Sequence, residues 1–298
     1  MQPSNLAGNV FIVTGGNAGI GAAIVQQLAQ RGGHVVMVSR SRDKGEAAVQ
    51  AIRAAVPDNA VDLVIGDLST IAAVGQLAAT LLERYPRIDA LINNAGVWPM
   101  RRVLNADGLE TAFMVNHMAP FLLTTLLLQR ITDGGPGRIV NVNAGLYVNG
   151  KFDMARTPYG LDFSRIRTYA DSKLCNMLFT LELARRLAGT GVTVNAVHPG
   201  VIRTELGTPG GPLGWILRQV KRSWDTPEEG AKAPVWLATA PELAQTSGHY
   251  FNLLADSAVT ATAGDPELAR RLWNLSIALA AFPSDPVPIS SHSVTSSA

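Results

Sequence analysis

The sequence lacks the paired cysteines of a disulfide framework, a cysteine cluster for a metal and the dense basic runs of a nucleic-acid-binding surface. Its 298 residues include a single cysteine, Cys175, so no disulfide can form within the chain and no cysteine cluster can hold a metal. The formal net charge is only +2 and no dense run of lysine and arginine occurs, which argues against a nucleic-acid partner. Cys175 lies in an apolar helical stretch, where we expect a small buried side chain.

Signals for export and membrane insertion are also scarce. Residues 1–8 do not show the basic, apolar and small-residue pattern of a signal peptide. The most apolar stretch, residues 118–128, contains Pro120 and is well short of the roughly 20 residues that a membrane span needs. We therefore expect a cytoplasmic protein without a membrane span.

Apolar residues are plentiful, at 47% of the chain, and they follow an alternating pattern. Short runs rich in valine and isoleucine alternate with longer segments whose apolar residues recur at helical spacing. The runs are residues 10–13, 34–38, 61–65, 90–92, 138–142 and 192–197. Continuous apolar runs are typical of strands buried on both faces, and their alternation with helices indicates βαβ units. We predict an α/β fold with a doubly wound parallel sheet of the Rossmann type.

One domain accounts for nearly the whole chain, because no internal repeat or linker divides it. Two late helices begin at Thr226-Pro227 and Asp265-Pro266, where a capping side chain precedes a proline and a glutamate. Residues 283–298 are rich in serine and proline and offer little to bury. We predict a single domain over residues 1–282 and a flexible tail over residues 283–298.

A glycine-rich turn joins the first predicted strand to the first predicted helix. It reads Thr14-Gly15-Gly16-Asn17-Ala18-Gly19-Ile20-Gly21. Glycines let backbone N–H groups approach a pyrophosphate, and the helix N-terminus adds the positive end of its dipole. The strand before and the helix after are the context that such a motif requires. We therefore assign a dinucleotide site to Gly15, Asn17, Gly19, Ile20 and Gly21.

The end of the second predicted strand bears on the choice between NAD and NADP. It reads Val38-Ser39-Arg40-Ser41-Arg42 and holds no carboxylate. An acidic residue there would bind the ribose hydroxyls and repel a 2′-phosphate, whereas Arg40 can form charge-assisted hydrogen bonds to a phosphate. NADP(H) is therefore favoured over NAD(H); the alternative is that Arg40 is a solvated loop charge.

Six motifs occur in an order that resembles the short-chain dehydrogenase/reductase family. They are Thr14-Gly15…Gly19-Ile20-Gly21, Asp67-Leu68, Asn93-Asn94-Ala95-Gly96, Asn116-His117, Tyr169-Ala170-Asp171-Ser172-Lys173 and His198-Pro199-Gly200. The resemblance extends from about residue 9 to about residue 252. The stretches 116–124, 172–176 and 183–204 are similar to the retinol-dehydrogenase-like branch. That branch often uses NADP(H) and bulky lipophilic alcohols or carbonyls.

The resemblance implies further cofactor contacts. Asp67 and Leu68 would contact the adenine, and the turn Asn94-Ala95-Gly96 would line the adenosine ribose and the start of the pyrophosphate. The residues implied beside the nicotinamide are Pro199, Gly200, Val201 and Thr204. No metal site is expected. Family analogy also suggests homodimers or homotetramers.

Tyr169 and Lys173 are four positions apart in a helical stretch, so they share one helix face. The pKa of a free tyrosine is about 10, too high for an efficient acid or base near neutrality, and a nearby ammonium would lower it. By the resemblance, Tyr169 would exchange a proton with the substrate oxygen and Lys173 would also hold the nicotinamide ribose. Asn116 would support a water-linked proton relay to Lys173.

The chain departs from the family pattern at the catalytic serine. After the strand at residues 138–142 it reads Asn143-Ala144-Gly145, so Ala144 replaces the hydroxyl that binds the substrate oxygen. Losing one such donor typically costs about 10²- to 10³-fold in rate. One interpretation is that another donor of the same loop substitutes, from among Asn143, Tyr147 and Asn149. The others are a slow reductase, a non-redox cyclase, isomerase or dehydratase, and a catalytically silent binding protein.

The segment between Thr204 and Thr226 resembles the mobile lid of the family, and its glycines and prolines suit such a loop. The predicted substrate-side residues are Trp98, Ala144, Tyr147, Leu206 and Trp215. Together they favour a large apolar substrate. The leading hypothesis is an NADP(H)-dependent oxidoreductase that acts on the C=O or CH–OH group of a bulky apolar molecule.

Overall fold

The computed structural model describes residues 5–56, 61–202 and 225–287, which form an eight-stranded sheet with helices on both faces. The strands run in the order β3-β2-β1-β4-β5-β6-β7-β8, and all neighbours are parallel except β7 and β8. Their bounds are β1 Val10–Thr14, β2 His34–Ser39, β3 Val61–Ile65, β4 Ala90–Asn93, β5 Arg138–Val142, β6 Thr193–His198, β7 Tyr250–Asn252 and β8 Ala255–Ser257. The order reverses between β1 and β4, where open α/β sheets leave a crevice for ligands.

The sheet separates the apolar core into two layers, each covered by helices. Their bounds are α1 Gly19–Gln30, α2 Arg42–Ala55, α3 Ile71–Arg84, α4 Thr111–Asp133, α5 Arg165–Arg186, α6 Pro227–Thr239, α7 Ala261–Gly264 and α8 Pro266–Leu279. One apolar cluster lies between the sheet and α3, α4, α5 and α8, and the other between the sheet and α1, α2 and α6. The predicted doubly wound α/β domain is confirmed.

Helix α3 shows how local sequence produces this packing. Thr70 caps its first turn by accepting a hydrogen bond from Ala73 N. Val74, Leu77 and Leu81 recur at helical spacing and are buried against the sheet. Burying each leucine contributes about 1.5–3 kcal/mol, so the spacing determines which face of the helix meets the core.

Two features of the secondary structure escaped the sequence patterns. Strands β7 and β8 have three residues each, too few for a period-two pattern to show. The other feature is the start of helix α5 at Arg165, where Ser164 provides no side-chain cap. Tyr169 and Lys173 therefore lie on consecutive turns of an established helix, which gives both side chains a rigid support.

Helix α4 is longer than the apolar stretch that its sequence suggests. It spans 23 residues from Thr111 to Asp133, with a mean hydropathy of 1.4 in its most apolar window, so by length and composition it could cross a membrane. In this fold 83% of that window is buried inside the domain, as in the core helix of a globular protein. A π turn, Met114–Met118, lies within it and buries Asn116 and His117.

The chain beyond α8 is anchored where a flexible tail was predicted. Arg186 is buried, and its guanidinium donates hydrogen bonds to the Asp285 carboxylate at 2.7 Å and to the Val287 carbonyl at 2.6 Å. The indole of Trp273 donates to Asp285 at 3.1 Å and lies 4.2 Å below the guanidinium carbon. The prediction of a tail from residue 283 is therefore wrong for residues 283–287, because a buried cation needs their oxygen atoms. Residues 288–298 lie outside the described ranges.

Candidate active site

A cavity of about 1380 Å³ opens at the carboxyl ends of β1, β2, β4, β5 and β6. This is the crevice that the reversal of strand order creates. Most of the predicted site residues line it: Gly15, Asn17, Gly19, Ile20, Gly21, Arg40, Asp67, Leu68, Asn94, Ala95, Gly96, Trp98, Ala144, Tyr169, Lys173, Pro199, Gly200 and Val201. The fold thus brings together motifs that are far apart in the chain.

The glycine-rich turn has the geometry that a pyrophosphate requires. Gly15 and Gly19 have φ values of +64° and +52°, which side-chain-bearing residues rarely adopt. A Cβ on Gly21 would lie 2.2 Å from the Gly15 carbonyl oxygen. Ala18 is the N-cap residue just before α1 and has no side chain that could cap the helix, so the first backbone N–H groups of α1 remain available to an anion. The residues present therefore fit a dinucleotide.

Thr14 and Asn94 lock the ends of β1 and β4 together beneath this turn. The Thr14 hydroxyl accepts hydrogen bonds from the backbone N–H groups of Asn94 and Ala95, both at 3.0 Å. The Asn94 amide donates to the Thr14 carbonyl at 2.8 Å. These bonds hold Ala95 and Gly96 at the cavity wall, a supporting role of Thr14 that the motif alone did not reveal.

Arg40 and Asp67 line the cavity at the end that holds the glycine-rich turn. Arg40 is exposed and has no ion pair or hydrogen bond within the described residues, whereas Arg42 pairs with Glu46 at 3.5 Å. The Asp67 carboxylate accepts hydrogen bonds from Ser69 N at 3.0 Å and from the Ser69 hydroxyl at 2.7 Å. Asp67 is therefore held in place, and Arg40 is a cation without a protein partner in the described structure.

Tyr169 is buried in the cavity wall beneath an aromatic partner. Its ring stacks on the Trp98 indole, with centroids 4.4 Å apart and planes 9° from parallel. The indole is held in turn by a 2.8 Å hydrogen bond from its Nε1 to the Arg165 carbonyl. Burial raises the pKa of Tyr169 well above its ordinary value. The phenol therefore keeps its proton at neutral pH.

Lys173 lies deeper in the same wall. Its Nζ is 5.8 Å from the Tyr169 ring centroid and donates a 2.9 Å hydrogen bond to the Val142 carbonyl at the end of β5. Burial lowers the pKa of Lys173 to about 8. Burial is thus the main influence on the pKa of both groups, and the lowering of the Tyr169 pKa by Lys173 and an oxidised nicotinamide stays a prediction.

Asn116 supports the wall from behind and does not itself line the cavity. Its Oδ1 accepts a hydrogen bond from Val97 N at 2.8 Å, and its Nδ2 donates to the Val97 carbonyl and to the Ser172 hydroxyl, both at 2.9 Å. A Cβ on Gly96 would lie 3.3 Å from Asn116 Oδ1 and 3.7 Å from Lys173 Nζ. Asn116 and Lys173 are thus neighbours across a bare glycine, and the relay role of Asn116 stays a prediction.

The loop after β5 does not offer the replacement donors that its sequence suggests. Asn143 is buried, and its amide donates to the Lys173 carbonyl at 3.2 Å and accepts from Ala144 N at 2.7 Å. The short turn Gly145–Asn149 directs Tyr147 into the core, where its ring packs edge-on against Tyr250 at 5.0 Å. Tyr147 and Asn149 do not line the cavity, so the assignment of Tyr147 to the substrate side is wrong.

His198 is a wall residue that the sequence patterns assigned no role. It ends β6, and a Cβ on Gly145 would lie 3.5 Å from both its Nε2 and its Cδ2. Neither ring nitrogen has a hydrogen-bond partner within the described residues, and Nδ1 is fully buried. Burial, together with the nearby charge of Lys173, lowers the pKa of His198. The available sequence signal was an imidazole directly before Pro199-Gly200, at the carboxyl end of a strand.

Three predicted residues, Thr204, Leu206 and Trp215, lie outside the described residues.

Gly200 has a φ of +97°, so a glycine is required where β6 turns into the cavity wall. The described ranges contain no group of three histidine, cysteine, aspartate or glutamate side chains that could hold a metal ion.

The sequence also matches a known family model, that of the short chain dehydrogenases, over residues 9–210. The chain belongs to the short chain dehydrogenase family. It is 41% identical to retinol dehydrogenase 13 of Homo sapiens over 283 residues, which cover 91% of this chain and 84% of that protein. This places the short-chain dehydrogenase in the retinol-dehydrogenase-like branch and makes it an oxidoreductase.

Solved structures support the fold of this short-chain dehydrogenase. A protein from Mycobacterium paratuberculosis superposes with a TM-score of 0.76 at 28% identity, over 94% of this chain and 96% of that one. A short chain dehydrogenase from Shigella flexneri, complexed with NADP, superposes with a TM-score of 0.67 at 21% identity, over 85% of this chain and 100% of that one. The second likeness concerns the fold alone.

Proposed function

We propose that this short-chain dehydrogenase is an NADP(H)-dependent oxidoreductase that interconverts bulky apolar carbonyl compounds and alcohols. The observation that carries the proposal is that Tyr169 and Lys173 lie in the same cavity as the glycine-rich turn. A phenol at this position suits the reduction of a carbonyl, since the oxygen must gain a proton as the carbon is reduced.

Each of these residues has its own role in the proposed reaction. When bound, NADP(H) supplies or accepts a hydride. Tyr169 donates its phenolic proton to the carbonyl oxygen, so that a ketone or aldehyde becomes an alcohol, and it accepts that proton in the reverse direction. Trp98 fixes the plane of the Tyr169 ring through their stack, and Lys173 holds the end of β5 close to that ring.

The preference for an apolar substrate rests on the walls near Tyr169. Apolar side chains line this part of the cavity: Val97, Trp98, Val115, Leu146 and Val201. Ligand pockets typically measure about 300–1,000 Å³, so a cavity of about 1380 Å³ has room for a dinucleotide and a second molecule. Because relatives carry the name retinol dehydrogenase, a long polyene aldehyde is the first substrate to test.

The activity is tested by following NADPH consumption with retinal and with bulky ketones. Tyr169→Phe should lower the rate by about 10²- to 10⁴-fold, the usual contribution of a general acid, and should leave NADPH binding unchanged. Tyr250→Phe is the matched control, because Tyr250 is a buried tyrosine outside this cavity. Bound NADPH without any turnover that depends on Tyr169 would contradict the proposed reaction.

The preference for NADP(H) rests on Arg40, which has no protein partner in the described structure. Hydrogen bonds to charged groups contribute about 1.5–3 kcal/mol, so Arg40→Ala should weaken NADPH binding by about 10- to 100-fold and leave NADH binding unchanged. Arg42→Ala is the control, since Arg42 is already paired with Glu46. Equal losses for both cofactors would contradict the assignment of Arg40 to the 2′-phosphate.

A further inference from the structure

Among the described residues, the side chains around Ala144 at the catalytic end offer the substrate oxygen no obvious hydrogen-bond donor besides Tyr169. Ala144 has no polar side chain, and Asn143 has committed its amide to the Lys173 carbonyl. Lys173 in turn donates to the Val142 carbonyl. Tyr147 lies in the core, away from the cavity. The neighbouring strand, however, carries a side chain that could donate.

The neighbouring element is β6. Strands β5 and β6 are parallel partners, with Val142 opposite Val197, and Asn143 N donates to the Val197 carbonyl at 2.7 Å. The register therefore places the next residue, His198, beside Asn143, and its ring extends to Gly145, the residue after Ala144; Ala144, Gly145 and His198 all line the cavity. Its Nε2 lies 3.5 Å from the position of a Cβ on Gly145. The imidazole thus reaches the wall where the serine hydroxyl is missing.

His198 has a buried ring nitrogen without a hydrogen-bond partner in the described residues. Leaving a buried polar atom without a partner destabilises the folded protein, and a catalytic role is one of the explanations for such an atom in a native structure. Nδ1 of His198 is buried and has no acceptor within the described residues to which a proton could be donated. The ring proton is therefore assigned to Nε2, the nitrogen on the Gly145 side.

We propose that His198 Nε2–H donates a hydrogen bond to the carbonyl oxygen of the substrate, in place of the serine hydroxyl that Ala144 lacks. The inference rests on the proposed function and identifies a further catalytic residue for it. No proton leaves His198 during the reaction. Its N–H stabilises the negative charge that develops on the oxygen, while Tyr169 transfers its phenolic proton to that oxygen and the product is an alcohol.

The first experiment compares four proteins in NADPH-dependent reduction of retinal: wild type, His198→Ala, Ala144→Ser and the double variant. His198→Ala should lower kcat by about 100-fold without changing the Kd for NADPH. Ala144→Ser should raise kcat at least about tenfold in the His198→Ala background, and by a clearly smaller factor in the wild-type background, where His198 already donates to the same oxygen. His198→Gln, which keeps an N–H donor, should retain more activity than His198→Ala. His249→Ala is the control, because His249 pairs with Asp256 outside this cavity.

Strictly multiplicative effects of His198→Ala and Ala144→Ser would overturn the proposal, since two donors for one oxygen must substitute for each other. An unchanged kcat in His198→Ala would overturn it as well. In either case Tyr169-dependent turnover would leave the proposed function standing.

A binding measurement separates the inference from the reaction. N-cyclohexylformamide, a carbonyl compound that resists reduction, is titrated calorimetrically into the protein saturated with NADPH. His198→Ala should weaken its binding by about tenfold and His249→Ala should not. If wild type binds the formamide through His198 but never consumes NADPH, the hydrogen bond stands and the proposed reaction falls. If His198→Ala binds the formamide as wild type does, the inference falls whatever the turnover.

Discussion

At one end of the cavity the wall is largely backbone, whereas at the other it is made of side chains from four separate segments. The cofactor end is the glycine-rich turn Gly15–Gly21 with Arg40 and Asp67, and the catalytic end comprises Trp98, Ala144, Tyr169 and His198. At the cofactor end the requirement is space and free N–H groups, which glycine positions specify directly. At the catalytic end each side chain depends on its own supports, so one residue can be replaced while the others remain.

A side chain at Gly21 should disrupt the cofactor end of the cavity more than any other substitution considered. In Gly21→Ala the new Cβ would lie 2.2 Å from the Gly15 carbonyl oxygen and 2.6 Å from Asn94 Nδ2, so the turn must move. Because the backbone N–H groups would lose their alignment, NADPH binding should weaken by at least about 100-fold, a loss of nearly 3 kcal/mol. Fluorescence titration of NADPH measures this. Wild-type affinity in the variant would show that the turn tolerates a side chain.

The next effect concerns the stability of the catalytic end. Lys173 has a pKa of about 8 in the folded protein, below its ordinary value of about 10.5. The unfolded chain therefore binds a proton that the folded one has released between these pH values, and wild-type stability should rise with pH across that window. Lys173→Met removes the buried charge but also the hydrogen bond to Val142, so we expect a net gain of about 1–2 kcal/mol at neutral pH.

Denaturant unfolding of wild type and Lys173→Met at several pH values measures both parts of this prediction. The variant should lose the rise in stability between pH 8 and about 10.5 together with its catalytic activity. A less stable variant with the same pH dependence as wild type would show that burial of the Lys173 ammonium does not lower the free energy of unfolding.

A smaller effect tests the support of Tyr169. The Trp98 stack is one aromatic pair, worth about 0.5–1.5 kcal/mol, so Trp98→Ala should lower kcat by up to about tenfold through a less constrained Tyr169 ring. Trp98→Phe should lose less. Trp236→Ala is the control, because Trp236 also packs against a ring, that of Phe251, but lies outside the cavity. A change in NADPH affinity with constant kcat would place Trp98 with the cofactor end instead.

The smallest effect sharpens the contrast between two helical glycines. Gly75 lies in α3 with nothing within 4 Å of a built Cβ. Gly75→Ala should therefore stabilise the protein by about 0.5–1 kcal/mol and leave cofactor binding unchanged. Thermal unfolding measures the gain in stability. If Gly75→Ala gave no gain, the effect of Gly21→Ala could not be attributed to lack of space for the Cβ alone.

The sequence predicted the cofactor end more completely than the catalytic end. The geometry of a motif such as Gly15–Gly21 is determined locally, because a strand, a turn and a helix N-terminus are consecutive in the chain. The sheet and its strand runs followed from apolar periodicity in the same way. Only the short strands β7 and β8 gave too few residues for such a pattern.

Contacts between distant segments account for what the sequence left out or predicted wrongly. Whether Tyr147 faces the cavity depends on the path of a short turn, and the packing of Tyr250 against it is not visible in the local pattern. The rise in the Tyr169 pKa follows from burial, which only the folded chain determines. The anchoring of Asp285 depends on Arg186, almost a hundred positions earlier.

The π turn in α4 has a consequence for how the chain can change in length. A π turn holds one residue more than an α turn, so Met114–Met118 acts as a one-residue insertion inside an otherwise regular helix. Deleting Val115 would let the helix close into a continuous α form that still covers the sheet. Asn116 would then rotate away from Val97 and Ser172, the partners it joins. Deletion of a single residue in this core helix would thus first disturb the wall of the active site.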